Sequence, residues 1–186
     1  MRTLTTKDLV YIAVLTAMLC VSSLVAIPVG IGIPITLQVF FWLLIPALLK
    51  AYRGFLSLAL YVLIGLIGIP VFAGGTGGFQ AVLSPSFGFL LGSLIIALYI
   101  GKVAQKRPSL LTMILHMIVA ILILYTIGIL YQYFIFNVIA ESGGSTTLIS
   151  LIIANVSSFL PLDILKAILA GIVYDRLIRH TRFKNI

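Results

Sequence analysis

The chain has 186 residues, of which 62% are hydrophobic and 9% charged, and its formal net charge is +8. A soluble domain carries about one quarter charged residues, so this composition excludes a water-soluble globular protein and indicates a single membrane domain spanning residues 1–186. The single cysteine, Cys20, excludes an internal disulfide and argues against a cysteine-ligated metal site.

Six stretches are apolar enough to cross a bilayer as helices, which takes about 20 residues each. They are, roughly, 9–27, 36–50, 54–70, 86–104, 110–134 and 161–178. The first run is longer than the ~7–15 residues of a signal-peptide core, so we expect it to remain as a membrane helix. The predicted fold class is an all-α integral membrane protein with six transmembrane helices.

Basic residues alternate along the connections between these spans. They precede span one, separate spans two and three, separate spans four and five, and follow span six, whereas the connections 28–35, 71–85 and 135–160 contain none. By the positive-inside rule, both termini are cytoplasmic and the glycine-rich segment 71–85 faces outside. The basic residues thus indicate topology rather than nucleic-acid binding. They are Arg2, Lys7, Lys50, Arg53, Lys102, Lys106, Arg107, Arg176, Arg179, Arg182 and Lys184.

The connection 135–160 contains Glu141, the pair Gly143 and Gly144, and then an apolar segment that leads to Pro161. Joined to span six, that segment would form a helix of about 45 Å, which is too long for one crossing. We therefore expect a short helix near the outer surface and a new helix that starts at Pro161.

Asp163 and Lys166 form an ionisable pair inside the last predicted span. Of the twelve Lys and Arg residues, Lys166 is the one that lies well inside a span rather than at its end, and it shares a helix face with Asp163, three residues earlier. Ionisable groups in membrane helices mark candidate functional sites. Either the pair fixes helix packing, or it binds a ligand that presents N–H and C=O groups side by side, since a carboxylate accepts and an ammonium donates.

The glycine-rich segment supplies a second candidate element of a site. Gly75, Thr76 and Gly77 stand at the centre of the sequence Gly-Gly-Thr-Gly-Gly at 74–78. Glycines adopt positive φ and bring backbone N–H groups close to a ligand; the alternative is an ordinary flexible loop. Neither GxxxxGK[ST] nor GxGxxG occurs in the chain, so we expect no ATPase activity of its own.

Isolated polar residues in the spans leave several alternatives open. Gln38 either lines the site or caps span two, Asn155 either contacts a ligand or bonds a neighbouring helix, and His116 is expected to be a packed structural residue. No Ser/His/Asp set, metal-ligand spacing or carboxylate pair occurs, so no enzymatic chemistry, metal or cofactor is expected. The aromatic residues expected to serve packing or the membrane interface are Trp42, Tyr125, Tyr131 and Tyr133.

Ala13 and Ala17 lie four residues apart in span one. Small residues at this spacing let helices approach closely in lipid. The pattern also occurs by chance, so it serves either a partner helix or packing within this chain.

Together these features resemble a known family. Over nearly its whole length the chain is similar to the biotin-type substrate-binding membrane subunits of energy-coupling-factor transporters, the BioY family. The segments that carry the resemblance are Pro-Ile-Thr-Leu-Gln at 34–38, Gly-Ile-Pro-Val-Phe-Ala-Gly-Gly-Thr-Gly-Gly at 68–78, Leu-Ser-Pro-Ser-Phe-Gly-Phe at 83–89 and Pro-Leu-Asp-Ile-Leu-Lys-Ala at 161–167. The family usually has Gly-Pro-Thr/Ser-Gly-Gly-Tyr where this chain has Ser-Pro-Ser-Phe-Gly-Phe at 84–89.

The resemblance implies a subunit that captures biotin at the outer face of a prokaryotic plasma membrane. Uptake would be powered by a transmembrane coupling subunit, docked at Ala13 and Ala17, and by separate ATPase subunits. The glycine-rich segment would act as a lid, and Phe89 would join the ligand site. Asp163 would accept from a ureido N–H, and Lys166 would donate to the ureido oxygen or to a carboxylate.

Three alternatives stay open at this point. They are a subunit for another vitamin such as thiamine or riboflavin, a non-transporting membrane scaffold, and an intramembrane enzyme. Saturable ligand binding, a ligand panel and product formation distinguish them.

Overall fold

The computed structural model describes residues 4–27, 34–139 and 146–180, and these ranges are predominantly helical. The helices are α1 (Thr6–Leu24), α2 (Gln38–Leu66), α3 (Phe87–Gln105), α4 (Leu110–Phe134) and α5 (Leu148–His180). Within the described ranges, five helices are long and apolar enough to cross a membrane. This confirms the all-helical membrane fold expected from the hydropathy pattern.

Short elements connect the helices. Strands β1 (Ala26–Ile27) and β2 (Ile35–Thr36) pair antiparallel between α1 and α2. A 3-10 turn (Phe79–Leu83) precedes α3, and a π-helical turn (Ile135–Ile139) extends α4. Several residues used in the sequence predictions lie outside the described ranges: Arg2, Glu141, Gly143, Gly144, Arg182 and Lys184.

Helix α2 reverses its direction at Lys50, where φ is 66° and ψ is −179°. A straight helix would separate residues 38 and 61 by about 35 Å, yet Gln38 Nε2 and Tyr61 OH are 2.6 Å apart. The turn is tight, because a Cβ built on Gly54 would lie 2.5 Å from the Pro46 Cα. Helix α2 is therefore a hairpin with a first arm (38–49) and a second arm (51–66), which correspond to the predicted spans 36–50 and 54–70.

The expectation that a new helix starts at Pro161 is wrong. Helix α5 is continuous over 33 residues with Pro161 inside it. Bonds to α4 hold α5 on both sides of the proline, since Asn155 bonds Gln132 and Asp163 bonds Tyr125. Proline removes one backbone hydrogen bond and crowds the preceding turn, and packing against a neighbouring helix compensates for that loss here.

Helices α2, α3, α4 and α5 pack in sequence, and α5 packs back against α2. Helix α2 packs against α1, α3 and α5, and α4 packs between α3 and α5. Helix α1 begins at a capping box formed by Thr5 and Asp8. Two buried polar contacts tie α1 to the second arm of α2: the Asp8–Arg53 ion pair at 3.2 Å and the hydroxyl pair of Thr16 and Ser57 at 2.8 Å.

Candidate functional site

A cavity of about 600 Å³ lies between the first arm of α2, the glycine loop (68–78), the start of α3, and the facing sides of α4 and α5. This volume is in the range of small-molecule sites, about 300–1,000 Å³. The structure brings six of the predicted ligand residues together on its walls. They are Gln38, Gly75, Thr76, Gly77, Phe89 and Asp163.

Asp163 places a buried carboxylate on the cavity wall, with a relative exposure of 4%. Its Oδ2 accepts from the Tyr125 hydroxyl at 2.9 Å, and its Oδ1 accepts from Lys166 Nζ at 2.7 Å. In the part of the chain that the structure describes, Asp163 is the only charged side chain that lines the cavity. A carboxylate has about four lone-pair sites, so Asp163 can still accept hydrogen bonds from a ligand.

Lys166 occupies a different place from the one its sequence pattern indicated. Its side chain is 12% exposed and bonds Asp163, but it does not line the cavity. An unpaired carboxylate in an apolar interior is costly. In this structure, therefore, the ammonium group of Lys166 balances the charge of Asp163.

The glycine loop folds back on itself over the cavity. The backbone N–H of Phe72 donates to the Thr76 carbonyl at 2.8 Å, and that of Gly75 donates to the Phe72 carbonyl at 2.9 Å. Gly74 and Gly75 both have positive φ, 72° and 74°, a conformation that strains residues with a Cβ. The Thr76 hydroxyl donates to the Ala73 carbonyl at 3.2 Å and so helps to close the turn.

Phe72 anchors this loop to the second arm of α2. Its ring is buried and lies so close to Gly65 that a Cβ at position 65 would overlap it. The Gly78 N–H adds a bond of 2.7 Å to the Gly65 carbonyl. The loop is thus held against Gly65 of α2 at its middle, through Phe72, and at its end, through Gly78.

A hydrogen-bonded chain connects the cavity to this loop. Thr36 donates to Gln38 Oε1 at 2.8 Å, Gln38 Nε2 donates to Tyr61 at 2.6 Å, and Tyr61 donates to the Val71 carbonyl at 2.9 Å. The Ser23 hydroxyl also reaches the Val71 carbonyl. Gln38 therefore begins α2, lines the cavity and supports the loop.

Two aromatic residues that we expected to serve packing or the interface, Trp42 and Tyr125, line the cavity. The Tyr125 ring packs edge-on against Phe89, with centroids 6.0 Å apart. A signal for Tyr125 was present in the sequence: Tyr125 and Gln132 are seven residues apart, which places two polar groups on one face of a mainly apolar helix.

The remaining candidates lie away from the cavity. Asn155 bonds the neighbouring helix through Gln132 Oε1 at 2.8 Å, and His116 Nδ1 is 2.7 Å from the Tyr99 hydroxyl between α3 and α4. Both therefore act in helix packing. Ala13 and Ala17 are exposed on α1, so their side chains do not pack inside this chain's own bundle.

Comparison with known proteins finds relatives over almost the whole chain. A family model described as BioY matches residues 1–183. The biotin transporter BioY of Thermotoga maritima is 31% identical over 171 residues, covering 92% of this chain and 95% of that protein. Biotin transporter BioY2 of Lactococcus lactis is 36% identical over 182 residues, covering 94% and 93%.

A solved structure extends the similarity to three dimensions. The S-component for biotin from an ECF-type ABC transporter superposes with a TM-score of 0.87 and 27% identity, covering 98% of each chain. Sequence and fold thus match over almost the full length, and the chain belongs to the BioY family.

Proposed function

We propose that this chain is the high-affinity biotin-binding subunit of an energy-coupling-factor transporter, which captures biotin at the outer face of the membrane. The observation that carries the proposal is the buried Asp163 carboxylate on the wall of a cavity that the glycine loop also lines, in a chain of the BioY family. The chain is a multi-pass membrane protein of prokaryotic type, with transporters among its relatives. We assign it no enzymatic activity.

Biotin fits the chemistry of this cavity. Its ureido group has two N–H donors that Asp163 would accept, and its ring and tail would contact apolar walls such as Phe89. Gly75, Thr76 and Gly77 would cover the ligand, and Gln38 would support them. Lys166 would hold the Asp163 carboxylate in place through their ion pair, in which the two groups are 2.7 Å apart.

The proposed topology has six crossings, with residues 1–186 forming one domain and both termini in the cytoplasm. The reversal at Lys50 supports the sixth crossing, since it makes the arms of α2 antiparallel. The arms span only about 18 and 24 Å, which local thinning of the bilayer accommodates. Lys50, Lys106 and Arg179, at turns or helix ends away from the glycine loop, support the orientation.

A coupling subunit in the membrane is the proposed partner, together with separate ATPase subunits. Ala13 and Ala17 support this docking role because both side chains are exposed on α1, whose main helix partner in the described part of the chain is α2. Small side chains let a second helix approach closely. Membrane lipid covers the remaining apolar faces, such as Leu111, Ile149 and Ile153.

Calorimetry on biotin-stripped protein in detergent tests the proposed function. Biotin, thiamine and riboflavin are titrated into the same preparation, and saturable binding is expected for biotin alone. Binding of thiamine or riboflavin in place of biotin would identify a subunit for another vitamin. A folded protein that binds none of the three would contradict the proposal.

A further inference from the structure

Tyr125 holds the Asp163 carboxylate from the opposite side to Lys166. The bond from the Tyr125 hydroxyl to Asp163 Oδ2 is 2.9 Å long, is buried, and joins α4 to α5. Lys166 occupies the other oxygen at 2.7 Å. A carboxylate held at both oxygens cannot rotate freely, so its remaining lone pairs keep a fixed direction relative to the cavity.

The position of Tyr125 is itself fixed by packing. Its ring meets the edge of Phe89, with an interplanar angle of 87°. Phe89 in turn lies so close to Gly128 that a Cβ there would come within 2.5 Å of the Phe89 ring. Tyr125 is 6% exposed and lines the cavity, so the hydroxyl is held beside the ligand space by rigid contacts.

The direction of this hydrogen bond determines what a ligand meets. A tyrosine hydroxyl has one hydrogen and acceptor lone pairs, and an ionised carboxylate has acceptors only. Since the hydrogen of Tyr125 is donated to Asp163, the Tyr125 oxygen is left as an acceptor. This wall therefore offers two acceptor oxygens 2.9 Å apart.

We infer that Tyr125 is a specificity-determining residue, which makes this wall accept ligand N–H groups and reject ligand oxygens placed there. The inference rests on the proposed function and extends it to a residue outside the predicted site. A ligand oxygen against two acceptors stays unpaired and is repelled, which is how polar sites discriminate between closely similar ligands. Lys166 is not a substitute for Tyr125, because it does not line the cavity.

The test compares biotin with an analogue in which oxygen replaces one ureido N–H, using calorimetry on wild-type protein and Tyr125→Phe. We expect wild type to prefer biotin by at least about tenfold, the effect of one hydrogen bond to a charged group. In Tyr125→Phe, we expect biotin affinity to fall about tenfold while the analogue keeps its affinity. The preference should therefore shrink by the same factor.

Tyr99→Phe is the matched control, because it removes a tyrosine hydroxyl that bonds His116 away from the cavity; both affinities should stay unchanged. A folded Tyr125→Phe protein that weakens both ligands equally, and so keeps the wild-type preference, would overturn the inference and leave the proposed function standing. Wild type that binds neither compound would overturn the proposed function, and the inference with it.

Tyr125→Gln provides a second variant in case the phenylalanine protein does not fold. A glutamine amide can donate to Asp163 through nitrogen and present its oxygen as an acceptor. The inference expects this variant to keep the preference for biotin over the oxygen analogue. A folded Tyr125→Gln protein that has lost the preference would count against the inference.

Discussion

Tyr61 donates its hydroxyl hydrogen to the Val71 carbonyl at 2.9 Å, and this bond joins the second arm of α2 to the glycine loop. The same hydroxyl accepts from Gln38 Nε2 at 2.6 Å. Tyr61 is fully buried, and its ring also packs edge-on against Phe72, the residue that anchors the loop. One side chain thus connects the cavity wall, the α2 hairpin and the glycine loop that borders the cavity.

Tyr61→Phe is expected to destabilise the loop more than the fold of the helices. The substitution leaves the buried Gln38 amide without this partner, and an unsatisfied buried polar group costs about 1–3 kcal/mol. We expect a lower thermal midpoint in detergent and several-fold weaker biotin binding, measured by scanning fluorimetry and calorimetry. Tyr133→Phe, at an exposed position of α4, is the control. Unchanged midpoint and affinity in Tyr61→Phe would show that the loop does not depend on this bond.

The topology can be tested with single cysteines in a Cys20→Ser background and an impermeant thiol reagent. Phe79, in the turn after the glycine loop, is 76% exposed, and Phe79→Cys should react from outside sealed cells. Lys106→Cys, between α3 and α4, should react only after the membrane is opened.

Tyr52→Cys distinguishes six crossings from five. Tyr52 is 62% exposed and lies two residues after the reversal at Lys50. Six crossings place it at the cytoplasmic surface, so it should react when the membrane is opened and not before. Labelling of Tyr52→Cys from outside, or protection from both sides, would refute the six-crossing arrangement.

Docking of the coupling subunit is tested by Ala13→Trp combined with Ala17→Trp. Both positions are exposed on α1, so the bulky side chains should leave this chain's core and its cavity intact. We expect normal calorimetric binding of biotin but loss of ATP-dependent uptake and of co-purification with the coupling subunit.

The same double variant also tests the alternative that Ala13 and Ala17 pack against other helices of this chain. If Ala13 and Ala17 pack within the bundle, the double variant should lose thermal stability and biotin binding together. Full uptake by a well-folded double variant would also exclude the docking role. Val10→Trp with Val21→Trp, at other exposed positions of α1, measures the effect of added bulk alone.

The helices of this fold could be predicted from sequence because each depends on a long local run of apolar residues. Span 110–134 coincides with α4, and 86–104 differs from α3 by one residue at each end. Pro161 misled the prediction, since a proline signal is local and the contacts that keep α5 continuous come from α4. The reversal within α2 lies at Lys50, where the basic residues Lys50 and Arg53 separate two apolar runs of the sequence.

Charged residues of the candidate site could be predicted from the sequence, because charges are rare inside membrane spans. Its uncharged residues could be predicted only in part. Asp163 stood out because an acid inside a membrane span is costly, and the structure places it on the cavity wall. Tyr125 did not stand out, since tyrosine is common in membrane proteins and its partner lies 38 residues away in sequence. The three-residue spacing of Asp163 and Lys166 does not show which group the Lys166 side chain contacts. A side chain on a shared helix face can bond its neighbour instead of a ligand, as Lys166 does here.

The central claim, that Asp163 binds biotin in this cavity, is tested most directly by calorimetric titration of biotin into Asp163→Ala and Lys166→Ala. Asp163→Ala removes the acceptor of a charge-assisted hydrogen bond to biotin worth about 1.5–3 kcal/mol, so affinity should fall about ten- to over a hundredfold relative to wild type. Lys166→Ala acts through Asp163, because it removes the ion-pair partner of that carboxylate, and should also weaken binding. Asp175→Ala is the matched control, because Asp175 is also an acid on α5 paired with a base, Arg179 at 2.7 Å, but lies outside the cavity. The account predicts wild-type affinity for Asp175→Ala; folded Asp163→Ala protein that binds biotin as tightly as wild type would contradict it.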